Sequence, residues 1–355
     1  MSQKTCLRIV IFFLIVFGFS LPVFSAEDNG PFTVGTIRAE AGEIKSGYLH
    51  VPTKSDPGCE IPVTIINGAK KGKVLALVAG VHGYEYPPIL ALYRLKQKID
   101  PTSLAGTLIL VHIANPPGFQ KRIIYYNPYD WKNLNRVFPG DPDGTSAQRN
   151  AYVLVEEVVK KCDCLIDLHC GDGNEALIPY SYWMLSNDPE VDEVTRDMVL
   201  VFGLKYIIID ASRTKDITDS KYLGNTAILH GKPAITTESG YLGKTDEISI
   251  QRNMDGIFSV MKLFEMIDGQ PVPVEEPIWI DKYEVVYSDV DGLFYPLTEM
   301  GYYVKEGEKI GYVMDYLGET RRVFRAPFTG ILLYVIHTPP TSEGEPLFEV
   351  GRIKR

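Results

Sequence analysis

Compact apolar blocks alternating with longer mixed stretches set the rhythm of most of the chain. Residues 74–79, 108–113, 164–168, 206–209 and 234–237 are short runs dominated by Val, Ile, Leu and Ala. A strand covered on both faces has no solvent side to mark with polar residues, so it reads as a near-continuous apolar run. Between these blocks, residues 88–98, 146–161, 189–202, 223–230 and 247–266 are long enough for helices. The alternation predicts an α/β fold: a mostly parallel mixed sheet with helices on both faces. Ahead of it, residues 33–37, 47–51 and 61–66 are extended pieces broken by Gly, Pro and Asp.

The texture changes after residue 268. Gly269-Gln-Pro-Val-Pro-Val-Glu-Glu-Pro277 has the composition of an extended hinge, and a linker is expected over residues 269–282. Residues 283–287, 292–295, 309–314, 321–326, 330–336 and 346–350 then read as strands punctuated by glycine, predicting an all-β domain over 283–355. Val304-Lys-Glu-Gly-Glu-Lys-Ile-Gly311 and Arg325-Ala-Pro-Phe-Thr-Gly-Ile-Leu332 resemble the barrel-sandwich hybrid of biotinyl and lipoyl domains. The lysine that such carriers modify is absent from the matching turn, which reads Asp315-Tyr-Leu-Gly318. The expectation is a structural or lid domain, with no swinging arm.

At the other end, Lys4 and Arg8 precede an apolar segment over residues 9–19, and Val23-Phe-Ser-Ala26 offers small residues for cleavage after Ser25. This is the pattern of a secretory signal peptide over residues 1–25, and the apolar run is shorter than the roughly 20 residues that span a bilayer. Cys6 lies before the apolar segment, where lipoprotein processing does not place its cysteine. A secreted or periplasmic protein without stable membrane insertion is expected, with a catalytic domain over residues 26–268. Loss of two cations makes the chain, already at formal charge −9, more acidic still. An acidic chain with no basic stripe argues against nucleic acid as a partner. Cys59, Cys162, Cys164 and Cys170 are expected as buried thiols or one disulfide rather than catalytic groups.

The candidate chemistry begins where the block 74–79 ends. His82 and Glu85 stand three residues apart on a turn after Gly80, just before Pro87-Pro88 opens a helix. A His nitrogen and a carboxylate at this spacing can reach one cation from the same side, leaving a distant third ligand to complete the set. The alternative is that Glu85 only caps the helix. His169 ends the block that begins at residue 164, immediately before Cys170-Gly-Asp-Gly173. Two nitrogens and one carboxylate, with water in the fourth position, make a catalytic zinc site rather than a closed structural one. Asp167 shares a strand face with His169 and is read as an outer partner of that ring or as a capping carboxylate. His50, His112, His230 and His337 are rival ligands, His112 being the one most suited to the core. Hydrolysis of an amide also needs a group to move protons, and Glu238, at the end of the block 234–237, is placed for that. Asn135-Arg136 offers a planar two-pronged donor with a directional amide, suited to a carboxylate or to a structural salt bridge.

His82-Gly-Tyr-Glu85, Asn115-Pro-Pro-Gly-Phe119, Asn133-Leu-Asn-Arg-Val-Phe-Pro-Gly140, Asp167-Leu-His169 and Thr237-Glu-Ser-Gly240 together resemble the succinylglutamate desuccinylase/aspartoacylase family. The resemblance implies a zinc carboxypeptidase-like fold and one Zn2+ ion on His82, Glu85 and His169. It further implies Glu238 as the catalytic glutamate, Asn135 and Arg136 as the grip on a substrate carboxylate, and a C-terminal β domain that narrows access to the metal. Tyr241 is read as a further substrate-binding residue. One departure stands out: an arginine that helps polarise the carbonyl in that family is replaced at the corresponding position by Ile124, and Arg122, two residues upstream, is the candidate to replace it. The expected substrate is a small carboxylate-bearing amide such as an N-acyl amino acid. A carboxypeptidase or amidase on cell-wall peptides and a non-catalytic binding protein are the alternatives.

Overall fold

The computed structural model describes residues 29–354, so the expected signal peptide lies outside the described residues. Two short strands, β1 (Phe32–Val34) and β2 (Ile37–Ala39), form a hairpin that turns at Gly35, whose φ of 55° suits a residue without a side chain. The antiparallel pair β3 (Glu43–Val51) and β4 (Cys59–Asn67) follows. The α/β region then runs β5 (Lys70–Ala79), α1 (Tyr86–Lys98), β6 (Ala105–Val111), α2 (Pro116–Lys121), α3 (Ser146–Glu157), β7 (Cys164–His169), β8 (Glu175–Leu177), β9 (Tyr180–Met184), α4 (Pro189–Phe202), β10 (Tyr206–Asp210), α5 (Leu223–Leu229), β11 (Ala234–Glu238) and α6 (Glu247–Leu263). The remainder is all β: β12 (Ile278–Tyr287), β13 (Gly292–Pro296), β14 (Tyr303–Val304), β15 (Lys309–Met314), β16 (Thr320–Arg325), β17 (Gly330–Ile336), β18 (Pro340–Thr341) and β19 (Pro346–Ile353).

The fold is the mixed α/β architecture expected from the alternation. One large sheet is ordered β14-β17-β19-β12-β10-β9-β11-β7-β5-β6-β4-β3, with β8 paired to β17. At its centre β6, β5, β7 and β11 are mutually parallel. All six residues of β7 are buried, as are the last five of β5, which is why both lack alternation in sequence. Helices α1, α4 and α6 pack together on one face, contributing Leu92, Leu95, Met198, Phe202 and Ile257 to a single apolar cluster. Leu154 of α3 and Ala227 of α5 belong to the cluster on the other face.

Two boundaries differ from expectation for physical reasons. The helix expected to reach residue 161 ends at Glu157, because Val158 adopts φ −119°, and a 3-10 turn follows over Val159–Lys161. Consecutive β-branched residues lose side-chain freedom in a helix and favour such an exit. Residues 278–282, read as linker, are the start of β12, which pairs parallel with β10 and then antiparallel with β19. One strand therefore carries the large sheet from the α/β region into the C-terminal β region. There a second sheet, β16-β15-β13-β18, faces it across Phe294, Val313 and Leu333. The β15–β16 turn is capped by Asp315, which accepts from the backbone N–H groups of Leu317 and Glu319, and presents Leu317 to solvent.

Candidate metal centre and substrate pocket

Three neighbouring parallel strands end at the same edge. Beyond Ala79 of β5 the chain turns through Gly80 (φ 69°) and delivers His82 and Glu85; β7 ends on His169; β11 ends on Glu238, which is the direct register partner of His169. Ligands gather outside the carboxyl ends of such strands because the loops diverge there and leave a crevice. Gly83 is needed for the turn to seat. A Cβ at this position would lie 2.3 Å from the backbone of Gly118 and Phe119, where α2 packs against it.

The potential ligand atoms of His82, Glu85 and His169 all lie within 4.8 Å of one another, and all three residues are buried. Glu85 is the N-cap residue of α1, yet its side chain makes no cap hydrogen bond, while Pro87 and Pro88 occupy the first turn, where a missing N–H costs nothing. Its carboxylate turns instead to the two rings, with Oε1 2.6 Å from His82 Nδ1 and Oε2 2.9 Å from His169 Nδ1. The capping alternative for Glu85 is thereby set aside.

The far side of each ring decides which nitrogen faces inward. His169 Nε2 is 3.0 Å from Asp167 Oδ1, and His82 Nε2 is 3.2 Å from Asn133 Oδ1. Both partners are acceptors and hold the Nε2 proton of each ring, so a cation that displaced the Nδ1 protons would meet a lone pair from each imidazole. Two Nδ1 atoms and a carboxylate converging this closely fit a cation site, and the outer acceptors are the usual support for metal-ligating imidazoles. Glu85 Oε2 is also buried with no hydrogen-bond partner, despite its proximity to His169. The residues present thus fit a divalent metal. Asn133 is a partner that the residue pattern did not single out; its place two residues before Asn135, capping the 3-10 turn Leu134–Arg136 by accepting from the Asn135 N–H, was the available signal.

The electrostatics reinforce the need for positive charge. Burial works against the Glu85 carboxylate, but His169 and His82 outweigh it and hold its pKa down to about 2. Glu238 is pushed well above the usual carboxylate range by burial; His169 opposes the rise, and Glu85, Glu175 and Glu349 add to it. Glu175 is likewise raised by burial, against hydrogen bonds from Tyr125 Oη (2.6 Å) and the Asp172 N–H.

A cavity of about 560 Å³ opens over these groups. Asn135 and Arg136 both line it. Asn135 Oδ1 accepts from the Leu223 N–H at the start of α5 (2.9 Å), which fixes the amide so that its Nδ2 lies 3.4 Å from His169 Nε2. Arg136 donates to the Asn135 carbonyl and lies over the Tyr222 ring, and among the described residues no carboxylate pairs with it. The salt-bridge alternative is absent, leaving its guanidinium for a ligand. Arg213, which lies just beyond β10, also lines the cavity, but it is ion-paired with Asp210 and stacked over Tyr222 at 3.8 Å.

Two expected site residues stand elsewhere. Arg122 is exposed at the end of α2 with a left-handed backbone (φ 53°), and it does not line the cavity. The turn it makes brings Tyr125, not an arginine, against the edge of the His82 ring. Tyr241 is half-buried beneath Lys244, whose ammonium lies 4.5 Å from its ring, and it too is outside the cavity. Its loop serves the site through the backbone, with Gly171 N–H bonding to the Gly240 carbonyl and Leu242 N–H to that of Glu175. The rival histidines are also accounted for. His112 is buried, bonded to Thr64 and stacked on Tyr93, while His50 and His337 pair with Glu60 and Glu299. His230 caps the end of α5. The four described cysteines are free, and burial pushes the Cys59 and Cys162 thiols up to about 12 and raises those of Cys164 and Cys170 well above the ordinary thiol range, which disfavours the reactive thiolate.

Comparison with known proteins bears on the family and the fold. The model of the succinylglutamate desuccinylase/aspartoacylase catalytic domain matches residues 71–264, more than half of the chain. N-alpha-acetyl-L-2,4-diaminobutyric acid deacetylase of Halomonas elongata is 29% identical over 310 residues, covering 84% of this chain and 88% of that protein. Among solved structures, a succinylglutamate desuccinylase from Silicibacter sp. TM1040 superposes with a TM-score of 0.76 at 23% identity, over 92% of this chain and 100% of that one. A product-bound ectoine utilization protein from Ruegeria pomeroyi gives 0.77 at 22% identity, over 94% and 98%. The two structures share the fold, including the β-rich C-terminal region.

Proposed function

The chain belongs to the succinylglutamate desuccinylase/aspartoacylase family, and on that premise we propose that it is a zinc-dependent amidohydrolase that removes the acyl group from an N-acyl amino acid. The observation that carries this reading is the meeting of His82, Glu85 and His169 with Glu238 at three adjacent strand ends inside one cavity. His82 Nδ1, Glu85 and His169 Nδ1 would hold a zinc ion, which would supply Lewis acidity to activate a water and to polarise the scissile carbonyl. Asp167 and Asn133 keep the two imidazoles in the tautomer that leaves Nδ1 free. Glu238 accepts the proton of the attacking water and returns it to the leaving nitrogen. Arg136 receives the substrate's carboxylate through paired N–H···O bonds, and Asn135 Nδ2 adds a directional donor beside it. The cavity volume and the wall contributed by β12, β17 and β19 favour a small substrate over a cell-wall polymer. The name of the Halomonas elongata relative, a deacetylase of an N-acetyl amino acid, supports the same substrate class. On the residue pattern of positions 1–25 the enzyme acts outside the cytoplasm.

The test is an assay of the purified, zinc-loaded protein against a panel of N-acyl amino acids and muropeptides. Release of the free amino acid that disappears on chelation and returns with zinc is expected. Cleavage of muropeptides with no deacylation would transfer the chain to the peptidase reading, and ligand binding without turnover to that of a binding protein.

A further inference from the structure

The cavity contains an acid that the proposed reaction does not use. Glu349, on β19 of the C-terminal region, lines the same cavity as His82 and Glu238 yet is only 1% exposed. It lies outside the residues matched by the family model. Its register partners are Val285 on β12 and Tyr334 on β17, and both of these also line the cavity. Tyr180 Oη donates to Glu349 Oε2 at 3.3 Å, while Oε1 has no hydrogen-bond partner. Tyr180 is in turn the register partner of Glu238, so a single tyrosine side chain separates the strand of the proposed base from this second carboxyl group.

A buried carboxyl group without a counter-charge is costly and rarely kept without a reason. Among the described residues no cation pairs with Glu349. Arg213 is the guanidinium on this side of the cavity, and Asp210 holds it, with Tyr283 Oη also donating to Asp210. Burial pushes the Glu349 carboxyl up to about 8; the Tyr180 hydrogen bond and the more distant charge of Arg213 oppose the rise, and the charges of Glu175 and Asp210 add to it. The rings of Tyr180, Tyr182, Tyr283 and Tyr334 surround this part of the cavity, and aromatic faces are favourable neighbours for an ammonium. The cavity thus has an unpaired cation, Arg136, in one part and an unpartnered carboxyl oxygen, on Glu349, in another. A ligand with both a carboxylate and an ammonium would satisfy both.

We infer that Glu349 is a specificity-determining residue that receives a positively charged group on the substrate's side chain, so that the favoured substrates are N-acyl derivatives of diamino acids. This rests on the deacylase reading and specifies its substrate. Seating the ammonium beside Oε1 forms a charge-assisted hydrogen bond and supplies a direct ionic partner for an oxygen that has none. A neutral side chain of the same length leaves the carboxyl unpartnered.

The experiment compares the zinc-loaded protein on Nα-acetyl-L-2,4-diaminobutyrate and on N-acetyl-L-2-aminobutyrate, which have the same carbon skeleton and differ by the amine. Binding of free L-2,4-diaminobutyrate and L-2-aminobutyrate is measured in parallel by calorimetry. The wild-type protein is expected to favour the diamino compound by at least ~30-fold in kcat/KM, the scale of a buried charge pair. In Glu349→Gln the ratio should fall close to one. Equal use of both substrates by the wild-type protein overturns the inference, as does a Glu349→Gln variant that lowers both by the same factor, which is the mark of a structural role. If neither acetyl compound nor any other N-acyl amino acid is hydrolysed, the deacylase reading fails by itself. The assignment of Glu349 is then decided by whether calorimetry finds the same preference for the diamino ligand and its loss in Glu349→Gln.

Discussion

The cavity has two walls built in different ways. The metal-facing wall is made from the ends of β5, β7 and β11, each delivering its functional residue within a few positions of a buried strand. The opposite wall is assembled from β9, β12, β17 and β19, residues separated by up to 169 positions in the chain, as in the Tyr180–Glu349 contact. The first wall holds the proposed chemistry on a locally encoded frame of buried strands. The second carries shape and charge that exist only after long-range pairing. A family's reaction can therefore stay constant on one wall while the other sets which substrate is accepted.

The sharpest way to break this division is at Glu238. Glu238→Gln should lower kcat by ~10²–10⁴-fold, the range for a lost general acid–base group, while metal analysis still finds one zinc per chain. An unchanged rate would mean that the metal-facing wall does not contain the base. Beside the opposite wall, at the end of β10, the largest effect should be on stability. Asp210 is fully buried and bonded to Arg213, Ser212 and Tyr283, so Asp210→Asn leaves a buried guanidinium without its counter-charge. Urea unfolding should show a loss of about 3–5 kcal/mol. A near-neutral result would show that Arg213 finds solvent or another partner.

A subtler probe is Asp167→Asn, which weakens the acceptor behind His169 without touching a ligand. Competition with a chelator should report a loss of ~10–100-fold in metal affinity, with the fold retained. The smallest effect is expected at Arg122. Because it is exposed and outside the cavity, Arg122→Ala should change kcat/KM by no more than about twofold and stability by about 0.5 kcal/mol or less. A loss of a hundredfold would place it back at the carbonyl.

The same division explains what could be read from the chain. His82, Glu85, His169 and Glu238 each follow a block of apolar residues that can only be a buried strand, so their common location follows from the rule for parallel sheets. Asp167 was legible because alternate strand residues share a face. Arg213 obeys the same strand-end rule after β10 and was open to the same argument. Glu349 was not. Leu347-Phe-Glu-Val350 reads as an ordinary strand with an outward acid, and only pairing with Val285 and Tyr334 turns that acid into the cavity. β9 was hidden because Tyr180-Ser-Tyr-Trp-Met184 lacks the branched aliphatic run of its neighbours: its two tyrosines line the pocket, and Trp183 packs on the opposite face against Trp279. Arg122 and Tyr241 lie outside the cavity lining for a related reason: loop positions depend on local backbone, which at Arg122 is left-handed (φ 53°).

The most direct measurement is a zinc titration of the metal-free protein in which bound zinc and release of the amino acid from an N-acetyl amino acid are followed on the same sample. The account predicts turnover that rises in proportion to bound zinc and saturates at one ion per chain. Hydrolysis at full rate by the metal-free protein, or saturation at one ion with no amino acid released from any N-acyl substrate, would contradict it.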